Sequence, residues 1–299
     1  MEMLNFIFDA ASVAPGDFTG FTFFIGSVSM LAATVWFLMQ HGQVDKKFKD
    51  SMLVAGLITG IAAVHYFYMR EQWVMTMEQV DALTATLKDV PAIAEGLSGA
   101  ELDAATAAAK AVTDHNVEVT AAIADAKAAA SPTELRYIDW ILTVPLMVVE
   151  FALLTGVGMR KLFWASVIML VTGYFGESGV TGVLDAQIWG LISGVAYFWM
   201  AYEVGCLTIF GGPSGATGNA LNSGSGKIAG AGRMLQWFVL VGWAIYPLGY
   251  LIGTATDEGM WYAGIDSALS FLDMDIVYNV GDAINKIGFG MAVWYAAKG

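Results

Sequence analysis

Lys286 lies in the middle of the last apolar segment, IVYNVGDAINKIGFGMAVWYAA, with Asp282 one helical turn before it. An ammonium group is expensive in hydrocarbon, so an intramembrane lysine is read as a functional site. Its possible uses are few: pairing with a carboxylate, relaying a charge, or forming an imine with a carbonyl ligand. A second segment, RYIDWILTVPLMVVEF, supplies Arg136, Asp139 and Glu150. At about 100° and 1.5 Å per residue, the two acids fall within roughly 20° of one helical face and about 16 Å apart along it. Thr143 shares that face, where its hydroxyl is expected to bond the Asp139 carboxylate or to stand between the acids. Arg136, one turn outward, compensates the negative charge. Local pairing of these acids with Arg136, serving only to pin helices together, is the plainer alternative.

If the helices carrying these two segments are neighbours, Lys286 meets Asp139 and Asp282, placing one cation between two carboxylates. That arrangement suits a protonated Schiff base, although spacing alone leaves an ordinary salt bridge open. Trp140, and Trp243, Tyr246 and Pro247 in GWAIYPLGY, provide flat side chains that would wall a long conjugated ligand. Each is equally an ordinary core residue. His65, in GIAAVHYFYMREQW, is read either as a satisfied core histidine or as a partner sharing charge with Asp139.

The elements that must position these groups follow from hydropathy. The chain has 299 residues, of which 57% are hydrophobic and 14% charged, and its mean hydropathy is +0.61. That is too apolar for a soluble domain of this size and indicates a multi-pass protein in a lipid bilayer. The net charge of −13 makes nucleic acid an unsuitable partner. A single cysteine, Cys206, excludes an intramolecular disulfide and a cysteine metal cluster, and no metal site is expected. The N-terminus, MEMLNFIFDAASVAPGD, has no basic leader region, so a cleaved signal peptide is not expected.

A bilayer crossing needs about 20 apolar residues. Seven segments approach that length, near 18–40, 50–73, 135–156, 161–179, 186–210, 233–253 and 273–297. The expected fold class is an all-α seven-transmembrane-helix bundle. Lys46, Lys47 and Lys49 lie between the first two helices, Arg160 and Lys161 between the third and fourth, and Lys227 and Arg233 near the fifth-to-sixth connection. The positive-inside rule makes those loops cytoplasmic, with the N-terminus outside and Lys298 inside. The connection GGPSGATGNALNSGSGKIAGAG reads as a flexible loop whose glycines supply mobility. Between the second and third helices, about 74–133, lies an external and mainly helical insertion on the single domain of 1–299. In it Ser98 and Glu101 form an S-x-x-E capping pattern ahead of an alanine-rich run that Pro132 should end. His115 there reads as a surface histidine.

RYIDWILTVPLMVVEF, VIMLVTGYFGESG, GWAIYPLGY and YNVGDAINKIGFG resemble the corresponding helices of proteorhodopsins, the retinal-binding proton pumps among the microbial rhodopsins. The resemblance covers nearly all seven helices but not the insertion. It implies a light-driven outward proton pump with all-trans retinal held on Lys286 as a Schiff base, lined by Trp140, Met147, Met169, Trp243, Tyr246 and Pro247. Carried over, Asp139 is counterion and proton acceptor, Asp282 the second counterion, His65 the acceptor's partner, Glu150 the proton donor and Arg136 the cation of the release side. Asp139, Thr143 and Glu150 match the family's proton-pump triplet. The apolar neighbours Val148, Val149 and Phe151 suit a donor held neutral until it is used. Met147 stands where an apolar residue is associated with green absorption. Gly190 aligns with a position where carotenoid-binding relatives have glycine, which implies either a window for a carotenoid antenna or close helix packing. The resemblance further implies a homo-oligomer, pentamer or hexamer, in the bacterial inner (plasma) membrane. A light sensor of the same fold, a light-gated channel and a retinal-free transporter or receptor remain the competing functions.

Overall fold

The computed structural model describes residues 17–255, 259–269 and 271–298, and the expectation about a signal peptide lies outside them. The described residues fall into α1 (Phe18–His41), α2 (Lys49–Thr84), α3 (Ala100–Ala128), α4 (Thr133–Thr155), α5 (Arg160–Ser178) and α6 (Ala186–Val204). They continue through α7 (Ala216–Ser223), α8 (Lys227–Trp237), a π-helical turn (Phe238–Gly242), α9 (Ile245–Thr254), α10 (Ile265–Ala268) and α11 (Met274–Ala297). The chain divides into two compact units, Met1–Met69 with Thr133–Gly299, and Arg70–Pro132.

In the first unit, Asp side chains start three of the helices. Asp17 accepts from the Gly20 amide at 2.8 Å, Asp185 from Ile188 at 2.9 Å and Asp273 from Ile276 at 3.1 Å, each satisfying an amide left free by the first turn. α11 is the hub, packing against α1, α4, α8 and α9. Its neighbours are therefore the elements that can reach Lys286. Trp140, Met147 and Phe151 of α4 join Met200 of α6, Leu235 of α8 and Phe289 of α11 in one buried core. Outward-facing apolar side chains such as Val35, Leu191, Val195 and Phe198 stay exposed, whereas Arg136, Asp139, Glu150, Asp282 and Lys286 are buried. Apolar outside and charged inside is the pattern a bilayer solvent imposes.

Among the described residues, four helical stretches are long and apolar enough to cross a membrane by those measures alone: Phe18–His41, Lys46–Thr84, Thr133–Thr155 and Lys227–Thr254. The remaining three are α5 and α6, of 19 residues each, and α11, whose charges are the site itself. At about 1.5 Å per residue, the 36 residues of α2 outrun a hydrocarbon core of about 30 Å by roughly 24 Å.

The Gly-rich connection is not the flexible loop that its composition suggests. It holds α7, whose Thr217, Gly218 and Leu221 are buried, and the sixth crossing begins at Lys227 rather than near 233. A Cβ on Gly218 would lie 2.5 Å from the Gly205 Cα. These glycines serve close backbone approach, a packing demand that composition does not reveal.

In the second unit, α2 runs on to Thr84, and the following chain is pinned to α3. The Lys88 amide donates to Asn116 Oδ1 at 3.0 Å, Asn116 Nδ2 donates to the Lys88 carbonyl at 2.7 Å, and His115 Nε2 contacts the Thr86 carbonyl at 3.0 Å. The capping pattern is not formed. Gly99 occupies the N-cap at φ 58°, with no side-chain cap, so backbone freedom at glycine starts this helix instead of the Ser98 hydroxyl. The helix ends at Ala128, four residues ahead of Pro132.

Candidate functional site

α11 brings Asp282 and Lys286 onto one face, and α4 places Asp139 opposite. Lys286 Nζ donates to Asp139 Oδ2 at 2.7 Å and also to Asp282 Oδ2. All three side chains are within 1% of full burial. Two carboxylates around one buried amine leave one negative charge in excess, so the amine is what holds the pair together and its removal would strand two carboxylates. Tyr246 of α9 donates to Asp282 Oδ1 at 2.8 Å, so the second carboxylate is anchored on both oxygens. Asp139 Oδ1 has no hydrogen-bond partner.

Toward the N-terminus of α4, Arg136 Nη2 pairs with Asp275 Oδ1 at 2.7 Å, and Nη1 donates to Asn279 Oδ1 at 3.1 Å. The guanidinium also lies over the Tyr278 ring, 4.9 Å from its centroid. In the other direction Glu150 is fully buried, and neither of its oxygens has a partner. A buried carboxyl without donors is far cheaper neutral than ionised.

Thr143 is not bonded to the Asp139 carboxylate: its hydroxyl donates to the Asp139 backbone carbonyl at 2.8 Å, the usual local bond of a threonine in a helix. His65 is half-buried, and its Nδ1 contacts the Ile61 carbonyl at 2.9 Å. It is an electrostatic neighbour of Asp139, but no hydrogen bond joins them.

An apolar cavity of about 370 Å³ lies beside this cluster, and Trp140, Met169, Gly190, Trp243, Tyr246 and Pro247 all border it. Trp140 meets Tyr246 edge-on at 4.8 Å between ring centroids, and Trp243 stacks with Phe289 at 6.3 Å. Met147 is buried in the core but does not border the cavity. A Cβ on Gly190 would lie 2.5 Å from Tyr250 Cε1, so the space left by this glycine is filled by the tyrosine ring. At Gly194, one turn on and also at the cavity, a Cβ would meet nothing within 4 Å.

Sequence reasoning missed Asn285, Asn279, Asp275 and Tyr278. Asn285 Nδ2 donates to the Gly242 carbonyl at 2.8 Å. From α6, Tyr197 donates to the Val239 carbonyl at 2.8 Å. The two bonds hold the π-turn that precedes Trp243 and Tyr246 from both sides. Polar residues in an apolar helix next to Lys286 and Asp282 were the available signal.

The model for the family described as bacteriorhodopsin-like protein matches residues 17–299. The chain belongs to that family. It is 31% identical over 288 residues to the green-light absorbing proteorhodopsin of Gamma-proteobacterium EBAC31A08, a match covering 94% of this chain and 87% of the relative. Against the blue-light absorbing proteorhodopsin of Gamma-proteobacterium Hot 75m4 it is 32% identical, covering 94% and 86%. The crystal structure of a blue light-absorbing proteorhodopsin from Med12 superposes with a TM-score of 0.60 at 30% identity, covering 94% of this chain and 98% of that one. The protein is thus a microbial rhodopsin, a multi-pass helical membrane protein of the light-driven transporter class.

Proposed function

We propose that the protein is a light-driven outward proton pump carrying all-trans retinal on Lys286. The observation that carries this reading is the line of groups along α4. A buried lysine sits between Asp139 and Asp282, and the sealed, unpartnered Glu150 stands 11 residues further on the same helix. The chromophore fits the residues present. The cavity lies within the roughly 300–1,000 Å³ of small-molecule sites, its walls are aromatic, and Tyr246 links it to the carboxylate beside the amine.

When bound, retinal supplies absorption of visible light and an isomerisation; the proton chemistry falls to the protein. The Lys286 nitrogen, whose free amine lies 2.7 Å from Asp139 Oδ2, would give its proton to that oxygen, and Asp282, held by Tyr246, would remain the anion beside it. Arg136, tied to Asp275, is the cation of the release side. Glu150 then returns a proton to the nitrogen from the opposite side. Outward direction rests on the basic loops at the Glu150 end of the bundle, which the positive-inside rule assigns to the cytoplasm. Illuminated cells in weakly buffered medium should acidify it, with the signal abolished by a protonophore. Alkalinisation would reverse the direction, and a colourless protein after retinal addition, or a Lys286→Ala variant that keeps the visible band, would end the reading.

A carotenoid antenna is a second reading, favoured by the exposed Leu191 and Val195 beside Gly190 and Gly194 at the cavity edge. Carotenoid bands in the action spectrum that vanish in Gly194→Trp would support it, since Tyr250 already fills the space at Gly190. Assembly into a pentamer or hexamer in the bacterial inner membrane is tested by native mass measurement from that membrane.

A further inference from the structure

Glu150 is sealed, so a pump that uses it repeatedly needs a route by which it is recharged. Beyond Glu150, α4 continues five residues to Thr155, about 7.5 Å at 1.5 Å per residue, before the chain turns into α5. At that end lies a second cavity of about 270 Å³, lined by the turn from Val157 to Leu162 together with Glu203, Ala216 and Thr217. Glu203, at the end of α6, is buried at 4% exposure, yet Lys161 Nζ donates to its Oε1 at 2.9 Å from a side chain that is 65% exposed. The pair therefore runs from the protein interior to water. Gly215 is fitted around it, since a Cβ there would lie 2.3 Å from Glu203 Oε2. α7, which follows Gly215, packs on both α4 and α6, so the element lining the cavity also touches the helix that carries Glu150. Burying one end of an ion pair is a poor way to gain stability compared with apolar packing. A carboxylate in a cavity at the Glu150 end of the bundle has a use that an apolar residue would not.

We propose that the Glu203–Lys161 cavity is the proton entry port for Glu150. The Glu203 carboxylate takes one proton from solvent and passes it inward, so that the ionised Glu150 carboxylate becomes the neutral acid again. Glu203 returns to the anion, held by Lys161, and no other bond is made or broken. This inference rests on the donor role of Glu150 proposed above.

The test follows proton uptake after a light flash with a pH-indicator dye in the retinal-loaded protein. In Glu203→Gln, uptake from the medium should slow by about 10²-fold, the low end of what a positioned acid–base group supplies, while transfer from Glu150 to the Lys286 nitrogen keeps its rate. Azide, a small mobile acid, should restore uptake. A second readout needs no retinal: deuterium exchange of the Glu150 carboxyl, followed by its infrared band and assigned with Glu150→Gln, should slow in the same variant. Lys161→Gln changes only an exposed side chain, guards against a folding defect, and should delay uptake in the same direction. Unchanged uptake and exchange in both variants would overturn the port, as would a slowing of internal transfer and uptake together without azide rescue. If the unaltered protein takes up no proton at all, the pump reading fails, and the exchange measurement still decides whether Glu203 controls access to Glu150.

Discussion

At the residue scale the site is a contrast between two buried acids on one helix. Asp139 is bonded to Lys286 at 2.7 Å, whereas Glu150 has no donor on either oxygen. The first is stabilised as an anion by its cation, and the second is stable only with its proton on. On the proposed function, the same side-chain chemistry would serve as acceptor at one end and donor at the other. Replacing Glu150 with Gln keeps the volume and removes the transferable proton, so recovery of the Lys286 nitrogen should slow by roughly 10²-fold or more. Flash photolysis measures this, and an unaltered recovery time would remove Glu150 from the donor role. Asp139→Asn should make the visible colour insensitive to acid, because the carboxylate whose protonation changes the charge beside Lys286 is gone. A colour change on acidification that persists in Asp139→Asn would assign the titration to Asp282 instead.

At the scale of elements, the line Asp139–Glu150 and the pair Asp282–Lys286 were legible because helical periodicity fixes which residues share a face, and because charge in an apolar segment is rare. What surrounds them was not. The π-turn at Phe238–Gly242 exists through bonds from other helices, Tyr197 on one side and Asn285 on the other, and no local pattern encodes it. α7 was hidden for the same reason, since the glycines that permit its packing have the composition of a flexible loop. Ser98 and Glu101 show the opposite failure, a local motif displaced by a glycine one residue on. The π-turn yields a prediction. A Cβ on Gly242 would lie 2.1 Å from Asn285 Oδ1, and Asn285 neighbours both Lys286 and the Tyr246 hydroxyl. Gly242→Ala should therefore push Asn285 aside, cost about 1–3 kcal/mol of stability as an overpacked core does, and shift the absorption band. Thermal bleaching and the visible spectrum report the two effects, and a variant with native colour and midpoint would show that the contact relaxes freely.

At the scale of the whole molecule, every residue of the proposed proton line and of the cavity beside it lies in the unit formed by Met1–Met69 and Thr133–Gly299. The 36-residue α2 contains enough helix to span a bilayer before Arg70, leaving its last turns and α3 to the other unit. That second unit has its own internal bonds, from Lys88, Asn116 and His115, which hold its chain. We place this insertion outside the membrane, where connections tolerate changes of length at small entropic cost, about 0.6 kcal/mol per doubling of a loop. Replacing residues 75–130 with a short Gly/Ser linker should therefore leave the visible band and the light-driven acidification within about twofold of the intact protein. The comparison requires equal amounts of coloured protein in the membrane, measured from the band itself. Retained colour with lost acidification would give the insertion a part in proton release, and loss of both at equal expression would make it part of the folding unit after all.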